Sequence, residues 1–131
     1  MSGEALAAAA EALAGTRFRL HGRDPATGLD CVGVLAAALA AIGRGAPLPT
    51  GYRLRARAIP DLADAAQACG LVPARGGPRP GDVLLARTGP CQFHLAIAAA
   101  GDRFVHAHAG LRRVVVAAGP LPWPLAGHWR L

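Results

Sequence analysis

Apolar residues recur at helical spacing in the first half of the chain and in short β-favouring runs in the second. Residues 2–14, "SGEALAAAAEALA", read as a helix, with Ser2 as its cap and Gly15 where helices commonly end. A second helix is predicted from Cys31 to Ile42. Its bulky residues Val32, Leu35, Leu39 and Ile42 fall on one stripe, and alanines fill much of the rest. Asp30 stands at the N-cap position and Gly43 stops the helix. Between the two, "GTRFRLHGRDPATGLD" reads as a loop. "RGAPLPTGYRLRARAIP" fits no regular element. "PDLADAAQACG" reads as a short third helix, with Pro60 near its first turn and Gly70 past its end.

The pattern then changes period. "GDVLLAR", "FHLAIAAA", "RFVHAHA", "RRVVVAA" and "GHWRL" are short strand-like segments separated by turn residues. Helices followed by strands predict an α+β fold, with the N-terminal helices packed on one face of a C-terminal antiparallel sheet. No internal repeat or low-complexity tail interrupts the chain, so residues 1–131 are expected to form a single domain.

The hairpin at "HLAIAAAGDRFVHA" decides which side chains meet. A two-residue loop at Gly101–Asp102 puts His94 and His106 on opposite faces. A three-residue loop, Ala99–Ala100–Gly101, pairs Ala98 with Asp102 and sets His94 directly opposite His106. Three-residue hairpins commonly use a left-handed residue, which Gly101 supplies, so the second arrangement is expected.

Composition narrows the function classes. Hydrophobic residues make up 53% of the 131 and charged residues 17%, a balance that folds. No apolar stretch is long enough to span a membrane, and acidic Glu4 and Glu11 argue against reading the N-terminus as a signal peptide. Three cysteines and no CxxC pair argue against a disulfide framework and a closed zinc site. The net charge is +6 and every basic side chain is arginine, which favours a polyanionic partner. A nucleic-acid partner is not expected, since no helix-turn-helix or aromatic platform accompanies the charge.

Cys31 sits at a helix start, where free backbone N–H groups and the helix dipole favour a thiolate. By itself it reads first as a small buried apolar residue. With His94 and His106 on one face, the chain offers a thiol, a base and an orienting group, the set an acyl-transfer site needs. Cys91 is the rival nucleophile and Cys69 reads as core. His108 invites a metal reading with His94 and His106, although no carboxylate joins them. His21 is a loop residue that can touch substrate. His128, Trp123 and Trp129 are read as covering the sheet, Asp30 as a cap and Asp82 as fixing the start of a strand. Arg53, Arg55 and Arg57 form a solvated face or steer the protein to an anionic polymer.

"GTRFRLHG…GLDCVGVL", "RPGDVLLAR" and "HLAIAAAGDRFVHAHAG" together resemble the NlpC/P60 family of cell-wall cysteine peptidases, and most closely its short phage-tail members. The resemblance runs from Gly15 to about Gly110. It implies a papain-like NlpC/P60 fold, with Cys31 as nucleophile, His94 as general base and His106 orienting His94. Phe18 stands where the family carries tyrosine and, with His21, falls in the substrate-binding loop. The implied activity is hydrolysis of peptidoglycan stem peptides at the D-γ-glutamyl–diamino acid bond, with no cofactor or metal. The implied partners are peptidoglycan or muropeptides and phage-tail-like proteins. The chain is expected to be a monomer, made in the cytoplasm and carried to the cell wall or periplasm by a phage-like particle. The alternatives are an amidase or acyltransferase on another amide, and an inactive tail or wall-binding module of the same fold.

Overall fold

A computed structural model describes residues 2–45, 48, 62–90 and 92–131. Helix α1 spans Ser2–Glu11, α2 Cys31–Ala41 and α3 Leu62–Ala68. Strands β1 (Arg23–Asp24) and β2 (Gly28–Leu29) form a small antiparallel pair. Strands β3 (Val72–Pro73), β4 (Val83–Gly89), β5 (Gln92–Ala99), β6 (Arg103–His108), β7 (Arg113–Ala118) and β8 (Leu125–Arg130) form one antiparallel sheet, in the order β3-β8-β4-β5-β6-β7. The expected α+β architecture is therefore the observed one.

The elements follow from their patterns. The first helix is shorter than predicted. Beyond Glu11 the backbone tightens into i→i+3 bonds, Leu13 N–H to the Ala10 carbonyl and Ala14 N–H to that of Glu11, both 3.0 Å. In α2 the stripe of Val32, Leu35 and Leu39 is fully buried, and the helix closes when the Arg44 N–H reaches the Leu39 carbonyl at 2.8 Å. The short strands β1, β2 and β3 escape a reading based on periodicity, because two residues show no period.

Alternation along the strands divides the apolar residues between two faces. Val83, Leu85, Leu95, Ile97, Val105 and Val114 pack against Leu6 and Ala10 of α1 and the buried stripe of α2. Cys69 lies in this same layer, 4% exposed, as a core residue. On the far face Leu84, Ala96, Ala98 and Phe104 form a second cluster under Leu121, from the segment joining β7 and β8. Trp129 packs on the helix-side core and Trp123 lies beside His94.

The β5–β6 hairpin differs from expectation by one step at each strand. The observed pairs are Ile97–Val105, Ala98–Phe104 and Ala99–Arg103, so the loop is Ala100–Gly101–Asp102 rather than Ala99–Ala100–Gly101. Gly101 (φ 74°) and Asp102 (φ 54°) are both left-handed. Aspartate is one of the few non-glycine residues to visit that region readily, which lets the loop end one residue later. The loop length is unchanged, so each side chain keeps its face. His94 and His106 still share a side, but as diagonal neighbours rather than directly opposed ones.

Candidate active site

The segment before Cys31 is held by backbone pairing to the edge of β7. Gly15 N–H donates to the Val114 carbonyl and Val114 N–H to that of Thr16, both at 2.8 Å, and Phe18 N–H reaches the Arg112 carbonyl at 2.9 Å. The segment covers an otherwise open sheet edge. The chain then returns beside itself: Leu29 N–H donates to the Arg17 carbonyl at 2.9 Å. This pairing delivers Asp30 and Cys31 to the sheet.

Asp30, 2% exposed, ties the assembly together. Its carboxylate accepts from Gly33 N–H at 2.8 Å as the N-cap of α2, from His21 N–H at 2.8 Å and from the Arg23 guanidinium at 3.0 Å. Gly33 packs so tightly on the Gly22 carbonyl that a Cβ has no room there, so the loop sits directly against the first turn of α2.

Cys31 is the first residue of α2 and only partly buried as a residue. Burial of its thiol is the largest influence and pushes the pKa up to about 11. The Leu95 N–H opposes this, the Asp30 charge adds to it, and the Val32 N–H and Arg23 favour the thiolate. The low-pKa thiolate expected from the helix start is therefore not the resting state. The reason is that the sulfur is shielded from water and lies beside a carboxylate.

The direction of the Leu95 N–H, which favours the Cys31 thiolate, follows from the sheet. Ala98 exchanges backbone bonds toward β4, through Asp82 and Gly81. By alternation the N–H of Leu95 points toward β6. The β5–β6 pairing ends at Ile97–Val105, so Leu95 has no ladder partner in β6. The Leu95 N–H that favours the Cys31 thiolate faces this opening, one residue along from His94.

His94 and His106 bridge the same opening. The Nε2 of His94 lies 2.7 Å from the Nδ1 of His106, with the rings nearly perpendicular and their centroids 4.8 Å apart. Burial, then the nearby His106 and His108, push the pKa of His94 down to about 4. Burial and His108 likewise hold His106 below the usual histidine range. Both rings are neutral at pH 7, and one donates to the other. With the Nε2 of His94 engaged, its Nδ1 remains for a substrate or thiol proton. No hydrogen bond joins the Cys31 thiol to His94 in this state.

The other candidates take varied places. His108 lies 5.9 Å from His106, centroid to centroid, and its Nδ1 accepts from Leu111 N–H at 3.0 Å, so its Nε2 carries the proton. Among the described residues no group of three His, Cys, Asp or Glu is arranged to hold a metal. Phe18 packs against the helix-side core, and exposed His21 is anchored through its backbone with φ 61°. Cys91, Arg53, Arg55 and Arg57 lie outside the described residues.

Two features were not anticipated from sequence. Trp123 lies edge-on to His94, centroids 6.1 Å apart. Asp82 is fully buried and does more than start a strand: its carboxylate accepts from His128 at 2.6 Å, from Arg130 through two bonds at 2.8 Å and from Arg79 N–H at 2.9 Å. Burial acts to raise the Asp82 pKa, but these donors outweigh it and hold it below the ordinary carboxylate value. The buried "GD" at a strand start was the available signal; its partners lie 46 and 48 residues away.

No family model matches the sequence, and no curated protein matches it by sequence. The fold does have solved counterparts. NlpC1 from Trichomonas vaginalis superposes with a TM-score of 0.71 at 21% identity, over 99% of this chain and 45% of that protein. NlpC2 from the same organism gives 0.68 at 18% identity, over 98% of this chain and 47% of that protein, so this chain spans about half the length of both. The NlpC/p60 domain of the peptidoglycan hydrolase SagA gives 0.64 at 23% identity, with both chains covered in full.

Proposed function

We propose that this chain is a cysteine peptidase acting on peptidoglycan stem peptides, with Cys31 as nucleophile, His94 as general base and His106 holding His94 in its productive tautomer. The carrying observation is the 2.7 Å contact between the Nε2 of His94 and the Nδ1 of His106, next to the opening of the β5–β6 ladder. The fold shared with the peptidoglycan hydrolase SagA supports the substrate class.

In this reading neutral His94 carries its proton on Nε2 and donates it to His106, leaving Nδ1 basic. Substrate binding draws the thiol and His94 together. The thiol proton passes to Nδ1 as sulfur attacks the scissile carbonyl carbon. The oxyanion is stabilised by backbone N–H groups at the start of α2. His94 then protonates the leaving amine as the C–N bond breaks, which leaves a thioester on Cys31. A water gives a proton to His94 and its oxygen to the carbonyl. The acid departs, and the proton returns to sulfur.

The finer reading is cleavage of the D-γ-glutamyl–diamino acid bond, by a monomeric domain that reaches the cell wall with phage-tail-like proteins. Its support is the motif resemblance. The test is digestion of purified muropeptides, read by mass spectrometry, with wild type, Cys31→Ala and Cys91→Ala. Cleavage lost with Cys31→Ala and kept with Cys91→Ala is the expected result; full cleavage by Cys31→Ala removes the assignment.

One observation favours a second reading, an inactive wall-binding module. The Cys31 thiol, its pKa raised by burial, makes no hydrogen bond to His94. Binding of muropeptides without cleavage by wild type decides for it.

A further inference from the structure

We infer that Arg17, Arg19 and Arg113 form a carboxylate-binding subsite continuous with the histidine pair, so that the substrate is a peptide carrying free carboxylates on one side of the scissile bond. The inference rests on the peptidase reading and extends it to a substrate feature.

Strand pairing places these residues in line. His108 of β6 stands opposite Arg113 of β7, and Arg113 stands opposite Arg17 of the edge segment. Directly paired residues share a face. Val114 is buried in the helix-side core, so Arg113 belongs to the other face, with His106 and His108. Phe18 packs toward the helices, so its neighbours Arg17 and Arg19 turn the same way as Arg113. The row therefore runs His94, His106, His108, Arg113, Arg17 along one face of the sheet, from buried His106 to exposed Arg113 and Arg17. At about 4.8 Å per strand it extends about 14 Å, the length of roughly four extended residues.

The chemistry of the row is one-sided. Arg17, Arg19 and Arg113 are exposed, and among the described residues none of their side chains makes an ion pair, hydrogen bond or ring contact. By contrast Arg23, Arg103 and Arg130 each have a carboxylate within 3.0 Å. Two arginines set directly opposite each other repel, which is unfavourable unless an anion lies between them. His108 adds an Nε2–H donor, its tautomer set by the bond its Nδ1 accepts. Arginine suits this role because its planar fork binds carboxylates through two parallel bonds. The row starts at the histidine pair rather than on a remote surface, which favours a substrate chain over a distant docking partner.

The test uses two muropeptides differing only in amidation of their free carboxylates. Wild type should cleave the acidic form with kcat/KM about tenfold above the amidated form, mainly through KM, as expected for one charge-assisted contact. The Arg17→Gln/Arg113→Gln variant should discriminate less than about twofold, and far-ultraviolet circular dichroism checks that it is folded. A parallel calorimetric titration of both peptides into Cys31→Ala reads the subsite without turnover. If wild type cleaves neither peptide but Cys31→Ala binds the acidic one about tenfold more tightly, the subsite stands and the peptidase reading falls. Equal binding and equal cleavage of the two peptides overturn the inference.

Discussion

Replacing Asp30 by alanine tests whether one buried carboxylate holds the site together. Asp30→Ala removes the cap on Gly33 N–H, worth about 1 kcal/mol. It also removes the bond that the His21 N–H donates to this charged acceptor, worth about 1.5 kcal/mol. The Arg23 guanidinium is a quarter exposed and can return to water, so its loss adds only about 0.5 kcal/mol. The expected destabilisation is about 3 kcal/mol, a Tm loss of about 10 °C for a chain of this size. Urea and thermal unfolding at pH 7, followed by circular dichroism, measure it. Asp30→Ser restores a cap but reaches neither His21 nor Arg23, and should recover about 1 kcal/mol. A Tm within about 3 °C of wild type for Asp30→Ala would refute the reasoning, since it would mean that the loop and α2 do not depend on their shared carboxylate.

Further outcomes follow from the same geometry. In a Cys69→Ala/Cys91→Ala background, iodoacetamide alkylation of Cys31 should rise about tenfold per pH unit from pH 7 to 10, because a thiol at about 11 is still protonated there; a plateau below pH 8 contradicts this. Asp30→Asn should speed that alkylation at fixed pH by removing a negative charge beside the sulfur. His106→Ala should lower kcat by roughly a hundredfold, and His106→Asn should recover part of it by accepting from the Nε2 of His94; equal loss in both variants would count against an orienting role. His94 binds its proton more weakly folded, at about 4, than unfolded, near the ordinary 6.5. Its contribution is therefore present above pH 6.5 and lost as pH falls toward 4, and urea unfolding at pH 7.5 and 4.5 should show a loss of about 2 kcal/mol that His94→Gln reduces. Asp82 acts in a lower window. Its folded pKa lies below 3.8, so its stabilisation is lost only as pH falls below that value, and Asp82→Asn should flatten stability there.

Local pattern was enough for what depends on neighbours in the chain. The stripe of Val32, Leu35 and Leu39, the cap at Asp30 and the stop at Gly43 place Cys31 at a helix start whatever the rest of the protein does, because capping and periodicity act within a few residues. The face shared by His94 and His106 was legible for a similar reason: the loop has three residues, and shifting it by one step on each strand preserves parity. The exact register was not legible, because Gly101 and Asp102 can both adopt left-handed backbone and only the packed sheet chooses where the loop ends. Tertiary structure alone decided the rest. The opening of the β5–β6 ladder, the edge pairing of residues 15–18 with β7 and the Asp82–His128–Arg130 network join positions far apart in sequence. The state of the Cys31 thiol was settled there too. A helix start by itself favours a thiolate, but shielding from water and the neighbouring Asp30 charge outweigh it, and both exist only once the chain has folded.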